Sequence, residues 1–183
     1  TAGAARLAGL DEQQTVFALG IGCTQAAGMQ QNRGSDCKSL HAGKSAYHGV
    51  MAAMLASKGF DSSPEILEGS LGFTKVFSAT QENGAILSGI GQSWKITGNG
   101  YKPYACGVVL HPLIDAVVGI RNRDKVDPAS VSEIRLRVNP LVLSITGVIN
   151  PSTGLQSKFS TLHSAAVAMI DGMAGTAQYT DAK

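Results

Sequence analysis

Charge and aromatic rings are both scarce in this chain: of its 183 residues, 15% are charged and 5% are aromatic. The Lys and Arg side chains are scattered and the formal net charge is only +2, so the basic patch with which a protein meets nucleic acid is missing. No apolar run approaches the ~18 residues of a membrane-spanning helix. No basic start leads into an apolar signal core. The expectation is therefore a chain with no nucleic-acid or membrane partner and a cytoplasmic location. Cysteine is limited to Cys23, Cys37 and Cys106, an odd number without a Cys-x-x-Cys pair, which argues against a disulfide framework and a zinc knuckle. His41 and His48 are seven residues apart, not at the i, i+4 spacing of a zinc helix. No metal or other cofactor is expected. Internal repeats and low-complexity tracts are absent too.

Hydrophobic residues make up 44% of the chain, enough for one domain or two small ones. Asp11 and Gln14 form a capping-box pattern ahead of Val16, Phe17 and Leu19, which predicts a helix over about 11–22. After a polar loop from Gly28 to Ser35, the run Ala42, Ala46, Val50, Ala53, Met54 predicts a second helix over about 41–58, closed by Gly59. Pro64 and Glu65 open a third, short helix. From Gly84 the texture changes to short, glycine-separated segments. Trp94 to Thr97 alternates like a strand, Gly98-Asn99-Gly100 is turn chemistry, and Glu133 to Val138 alternates with period two. Helices are predicted over about 108–122 and 157–170. The sum is an α+β chain, helical first and mixed afterwards.

The chemistry concentrates in Gly34-Ser35-Asp36-Cys37-Lys38-Ser39-Leu40-His41-Ala42-Gly43-Lys44, two cations and an imidazole at the mouth of a helix. A Lys in a first turn opposes the helix macrodipole, and an anion bound to the exposed N–H groups reverses that sign; the alternative is a Lys pointing into water. His41 has the intrinsic pKa for proton transfer near neutrality. His48 reads as a surface or interface histidine. Cys37, beside Lys38, is either an activated thiol or an idle one. Lys102 lies between Tyr101 and Tyr104, which either orient it or are ordinary core-edge aromatics. His111 precedes Pro112 at a helix start and either caps and packs or takes part in a site.

Several blocks in one order resemble the signature of the MmgE/PrpD family. They are Lys38-Ser39-Leu40-His41-Ala42-Gly43, Gly59-Phe60, Ile66-Leu67-Glu68-Gly69 and Gly72-Phe73, then Gly100-Tyr101-Lys102-Pro103-Tyr104-Ala105-Cys106, His111-Pro112 and Ile114-Asp115-Ala116. The family's activities include dehydration of 2-methylcitrate, decarboxylation of cis-aconitate and epimerisation of iminodisuccinate. The resemblance implies a mainly helical domain over 1–97, part of a smaller α/β lid over 98–183, a homodimer and a polycarboxylate substrate. Because family chains are much longer and this one opens at Thr1 in helix-like sequence, an internal segment, inactive alone, is expected. Lys38 and Lys102 match substrate-binding lysines, with Tyr101, Tyr104 and His111 beside the second. His41, His163 and Lys102 are the candidate catalytic residues. His163 stands where decarboxylating members carry Tyr, and Gly107 where they carry His. A dehydratase-type lyase is the leading expectation, an epimerase the runner-up, and a non-catalytic carboxylate-binding or dimerisation module the competing class.

Overall fold

The computed structural model describes residues 1–80 and 82–183. The chain divides into two compact units, one made of Thr1–Gln30 and Cys37–Asn99, the other of Gln31–Asp36 and Gly100–Lys183.

The first unit is built on helices α1 (Ala2–Leu7), α2 (Glu12–Cys23), α3 (Asp36–Ser57), α4 (Phe73–Phe77) and α5 (Asn83–Leu87). The predicted capping box opens α2: the Asp11 carboxylate accepts from the Gln14 amide at 2.7 Å, and the Gln14 side chain accepts from the Asp11 amide at 3.1 Å. Helix α3 starts earlier than the apolar pattern predicts, because Asp36 supplies a carboxylate that suits the positive end of the helix dipole. It stops at Gly59, where φ is +86°. There the Phe60 amide reaches Leu55 O and the Gly59 amide reaches Ala56 O, closing the last turn.

The buried stripe of α3 is Gly49, Ala52, Ala53 and Ala56, at helical spacing, and it packs with Ala5, Ala18 and Ile21. Val50 and Met54, the largest side chains of the apolar run that predicts this helix, are exposed. Small side chains won the interior because they let three backbones approach closely, at about 1 kcal/mol of burial per methyl. The helix predicted after Pro64 does not form. Gly69 closes a single turn onto Glu65 O, while the carbonyls of Ile66 and Leu67 are taken by the amides of Phe73 and Thr74. Trp94 to Thr97 is not a strand either: Lys95–Gly98 is a 3₁₀ turn with Trp94 and Ile96 exposed.

The second unit carries α6 (His111–Arg123), α7 (Pro140–Thr146), α8 (Gly154–Ser157) and α9 (Thr161–Asp171). Leu110, Leu113, Ile114 and Val117 form one core with Ala165, Ala168 and Met169. Leu110 and Ile114 are fully buried, so truncating either to alanine costs roughly 2–5 kcal/mol. The predicted helix over 157–170 is broken in two, because Ser160 leaves helical geometry to cap α9, its hydroxyl accepting from the His163 amide at 3.1 Å. The strip Gln31–Asp36 is fastened here by Arg33, whose guanidinium donates to Ser144 O at 3.2 Å.

The helical part of the expected α+β class is present, and the strands expected in its second half do not form among the described residues. The unit is mainly helical, and among the described residues its β structure is one isolated antiparallel bridge, Gly147 with Ser160. The period-two pattern of 133–138 is real in burial, with Ile134, Leu136 and Val138 half-buried and Glu133, Arg135 and Arg137 exposed. Yet among the described residues nothing hydrogen-bonds the backbone of 132–138, and a strand without a ladder is not a strand. No helix of the described residues is long and apolar enough to cross a membrane.

Candidate functional site

Lys38 is the third residue of α3, exposed, and among the described residues it has no hydrogen-bond or ion-pair partner. His41 follows one turn later on the same side of the helix and is half-buried. Gly28 makes room for it: a Cβ at Gly28 would lie 3.3 Å from His41 Nδ1. This turn therefore presents an uncommitted ammonium beside a titratable ring.

In the second unit the loop before α6 holds the other lysine. Lys102 is exposed, and its ammonium donates to Cys106 O at 3.3 Å. Tyr101 is fully exposed. Tyr104 donates its hydroxyl to the Asp115 carboxylate, and that hydrogen bond holds the phenol above its ordinary pKa. The Tyr104 ring meets His111 edge-on, centroids 5.4 Å apart. His111 is buried, and among the described residues its Nε2 has no partner.

His163, on α9, shares a polar cluster with the chain's last turns. Its Nε2 lies 2.7 Å from Gln178 O. A carbonyl only accepts, so Nε2 carries a proton, and in the neutral ring Nδ1 is the nitrogen with the lone pair. The ring lies 5.4 Å from that of Tyr179, a residue the sequence analysis did not single out. Tyr179 is buried, its oxygen 3.1 Å from Ser164 Oγ. The Cys106 thiol points its own hydrogen at Gly107 O, so its sulfur is free to accept from Tyr179. Burial, followed by the Cys106 contact, pushes the Tyr179 phenol far above the ordinary tyrosine range. Burial likewise raises the Cys106 thiol, which keeps it protonated and unreactive.

The structure thus brings Lys38 and His41 together in the first unit. In the second it joins Lys102, Tyr104 and His111 and links them through Cys106 and Tyr179 to His163. Asp115, Ser164 and Tyr179 were missed. Asp115 had a legible signal, one turn beyond His111 on the same helix; Tyr179 had none, because its partners are distant in sequence. Among the described residues no group of three His, Cys, Asp or Glu side chains is placed to hold a metal ion. A groove of about 470 Å³ beside Ile134, Leu136 and Leu143 contains none of the candidate side chains in its lining.

Comparison with known proteins matches residues 1–85 to the MmgE/PrpD N-terminal domain and residues 104–183 to the MmgE/PrpD C-terminal domain. The chain is similar to the cis-aconitate decarboxylase of Aspergillus terreus, 28% identical over a 194-residue alignment that covers 96% of this chain and 39% of that protein. It is 32% identical to the cis-aconitate decarboxylase-like protein oryM of Aspergillus oryzae over 63% of this chain and 26% of that one. With the cis-aconitate decarboxylase of Homo sapiens it shares 28% identity over 66% of this chain and 25% of the relative. The chain therefore spans well under half the length of each of these relatives.

Proposed function

Because the chain belongs to the MmgE/PrpD family, we propose that the protein is a cofactor-independent lyase that dehydrates a hydroxy di- or tricarboxylate of the 2-methylcitrate kind. A base takes the proton next to a carboxylate, the C–H electron pair becomes the new C=C bond, and the β-hydroxyl leaves as water with a proton from a second group. The carrying observation is the state of the two lysines. Lys38 has no partner among the described residues, and Lys102 rests on a neutral carbonyl. Both charges are thus available to a substrate whose carboxylates need fixed cations to offset desolvation, and to the enolate-like charge that develops during proton abstraction.

His163 supplies the base through Nδ1, His41 is the second proton carrier, and Lys102 stabilises the developing charge. Tyr101 offers a hydroxyl to the substrate, while Tyr104 and His111 complete the binding group behind Lys102. A cytoplasmic homodimer belongs to the same proposal, supported by the exposed Tyr47, Val50 and Met54 on α3. Epimerisation of an amino-dicarboxylate is the second reading. It is favoured by His163, an imidazole standing where the resemblance gives decarboxylating members a Tyr.

The test is proton NMR of the full-length protein in D₂O with citrate-like and aspartate-derived carboxylates. Vinyl signals establish elimination. Deuterium at the α-carbon with scrambled stereochemistry and no vinyl signal establishes the epimerase. Silence across the panel refutes both. Lys38→Ala is expected to lower turnover more than a hundredfold with the fold intact; unchanged turnover removes Lys38 from the substrate-binding group.

A further inference from the structure

Lys102 sits on a loop fastened from one side. The Ala105 amide bonds Ala174 O at 3.3 Å and the Gly107 amide bonds Lys158 O at 3.0 Å, so the backbone is fixed from residue 105 onward. Between Gly100 and Tyr104, among the described residues, no backbone hydrogen bond forms. The last hold before Lys102 is therefore the Tyr104 side chain, its hydroxyl on Asp115 and its ring against the buried His111. Pro103 stiffens what lies between. The ring fixes its own φ and confines Lys102 to extended geometry, so Lys102-Pro103-Tyr104 moves as a short lever spanning about 7 Å. Pinning one end of a stiff lever places the other. Asp115 sits on α6, one turn past His111 and four residues from it, so the pin is anchored in the same helix that carries the core.

We propose that Asp115 is a positioning residue for Lys102, acting through the Tyr104 hydroxyl and the Lys102-Pro103-Tyr104 lever. Asp115 itself touches neither the lysine nor the reacting atoms. With the pin in place the ammonium stays on Cys106 O, at one defined spot for a carboxylate to replace that carbonyl. Without it the lysine sweeps solvent. The proposal deepens the lyase reading and rests on it only for the consequence to turnover.

The experiment uses the full-length protein with Tyr104→Phe, Asp115→Ala, their double variant and Asp115→Asn, which keeps an acceptor for the hydroxyl. The rate of acetylation at Lys102, read by mass spectrometry against exposed Lys38 as internal reference, needs no turnover. It is expected to rise threefold or more in Tyr104→Phe and Asp115→Ala. The double variant should go no higher than the larger single, and Asp115→Asn should stay within twofold of the parent. On any carboxylate that is turned over, kcat/KM should fall tenfold or more in the first three and recover in Asp115→Asn. Unchanged labelling in both single variants, or effects that multiply in the double, overturns the proposal. A parent protein silent on every carboxylate defeats the lyase reading, and the labelling ratios still decide the role of Asp115.

Discussion

A methyl group added at Gly107 crowds one buried neighbour, and the contact is specific enough to be relieved by one further substitution. The backbone there, φ −59° and ψ 131°, suits any residue, so conformation sets no limit. Space does: a Cβ would lie 3.0 Å from Thr146 Cγ2, while Lys158 O at 3.5 Å and Leu110 Cδ1 at 4.0 Å are in ordinary contact. Thr146 does not rotate away cheaply. It is fully buried, its hydroxyl donates to Val142 O at 2.6 Å, and Thr161 Oγ1 donates to Thr146 O at 2.9 Å. Overpacking of this kind costs about 1–3 kcal/mol, offset by about 0.4–1 kcal/mol from the stiffer unfolded chain. Gly107→Ala should therefore destabilise the second unit by about 1–2 kcal/mol. Thr146→Ser removes the obstructing methyl, keeps the hydroxyl, and costs about 1 kcal/mol alone. Independent effects would sum to about 2–3 kcal/mol, whereas the double variant should lose no more than Thr146→Ser does, a coupling of at least about 1 kcal/mol. Urea unfolding, checked by hydrogen exchange of α9 amides where about 1.4 kcal/mol is a tenfold rate, measures it. A neutral Gly107→Ala, or a double variant equal to the sum, refutes the packing argument. The same crowding explains why a histidine at this position would need a rebuilt Thr146 neighbourhood.

Two further predictions concern stability. Gly59→Ala forces a side chain into left-handed geometry at φ +86° and should cost the first unit about 1–2 kcal/mol, with Gly59→Asn milder; an unmoved urea midpoint in both variants contradicts the helix-ending role. Tyr179 holds its proton more tightly folded than unfolded, so its contribution is complete below the unfolded value near ~10 and declines as pH rises past it. Urea midpoints between pH 8 and 11 should fall more steeply in the parent than in Tyr179→Phe, and equal slopes would show that burial does not hold the phenol.

Capping and stop signals in the sequence were read correctly, whereas the Pro64 helix start and the alternation of 94–97 were not. The Asp11–Gln14 box and the Gly59 stop are satisfied within a few residues of themselves, and both formed where the pattern placed them. The apolar run located α3 without showing which of its residues are buried, because close helix packing selected glycine and alanine and left Val50 and Met54 exposed. For 133–138 the pattern gave the correct alternation and the wrong element, since period two reports which side chains are covered and says nothing about whether a neighbouring backbone exists. In the candidate site, histidines and lysines stood out by residue type. Ser164 and Tyr179 did not, because their meaning comes from a contact spanning 15 residues, whereas Asp115 could have been read from its place one turn past His111.

The Arg33 contact sets an order of events during synthesis. Ser144, the residue whose carbonyl it needs, lies 111 residues downstream, so at about 5–20 residues per second the guanidinium waits on the order of 6–20 s after leaving the ribosome. During that interval α1, α2 and the body of α3 beyond Asp36 can form from contacts already made. Separating the two units by a cut at 99/100 would consequently strand six residues on the wrong piece.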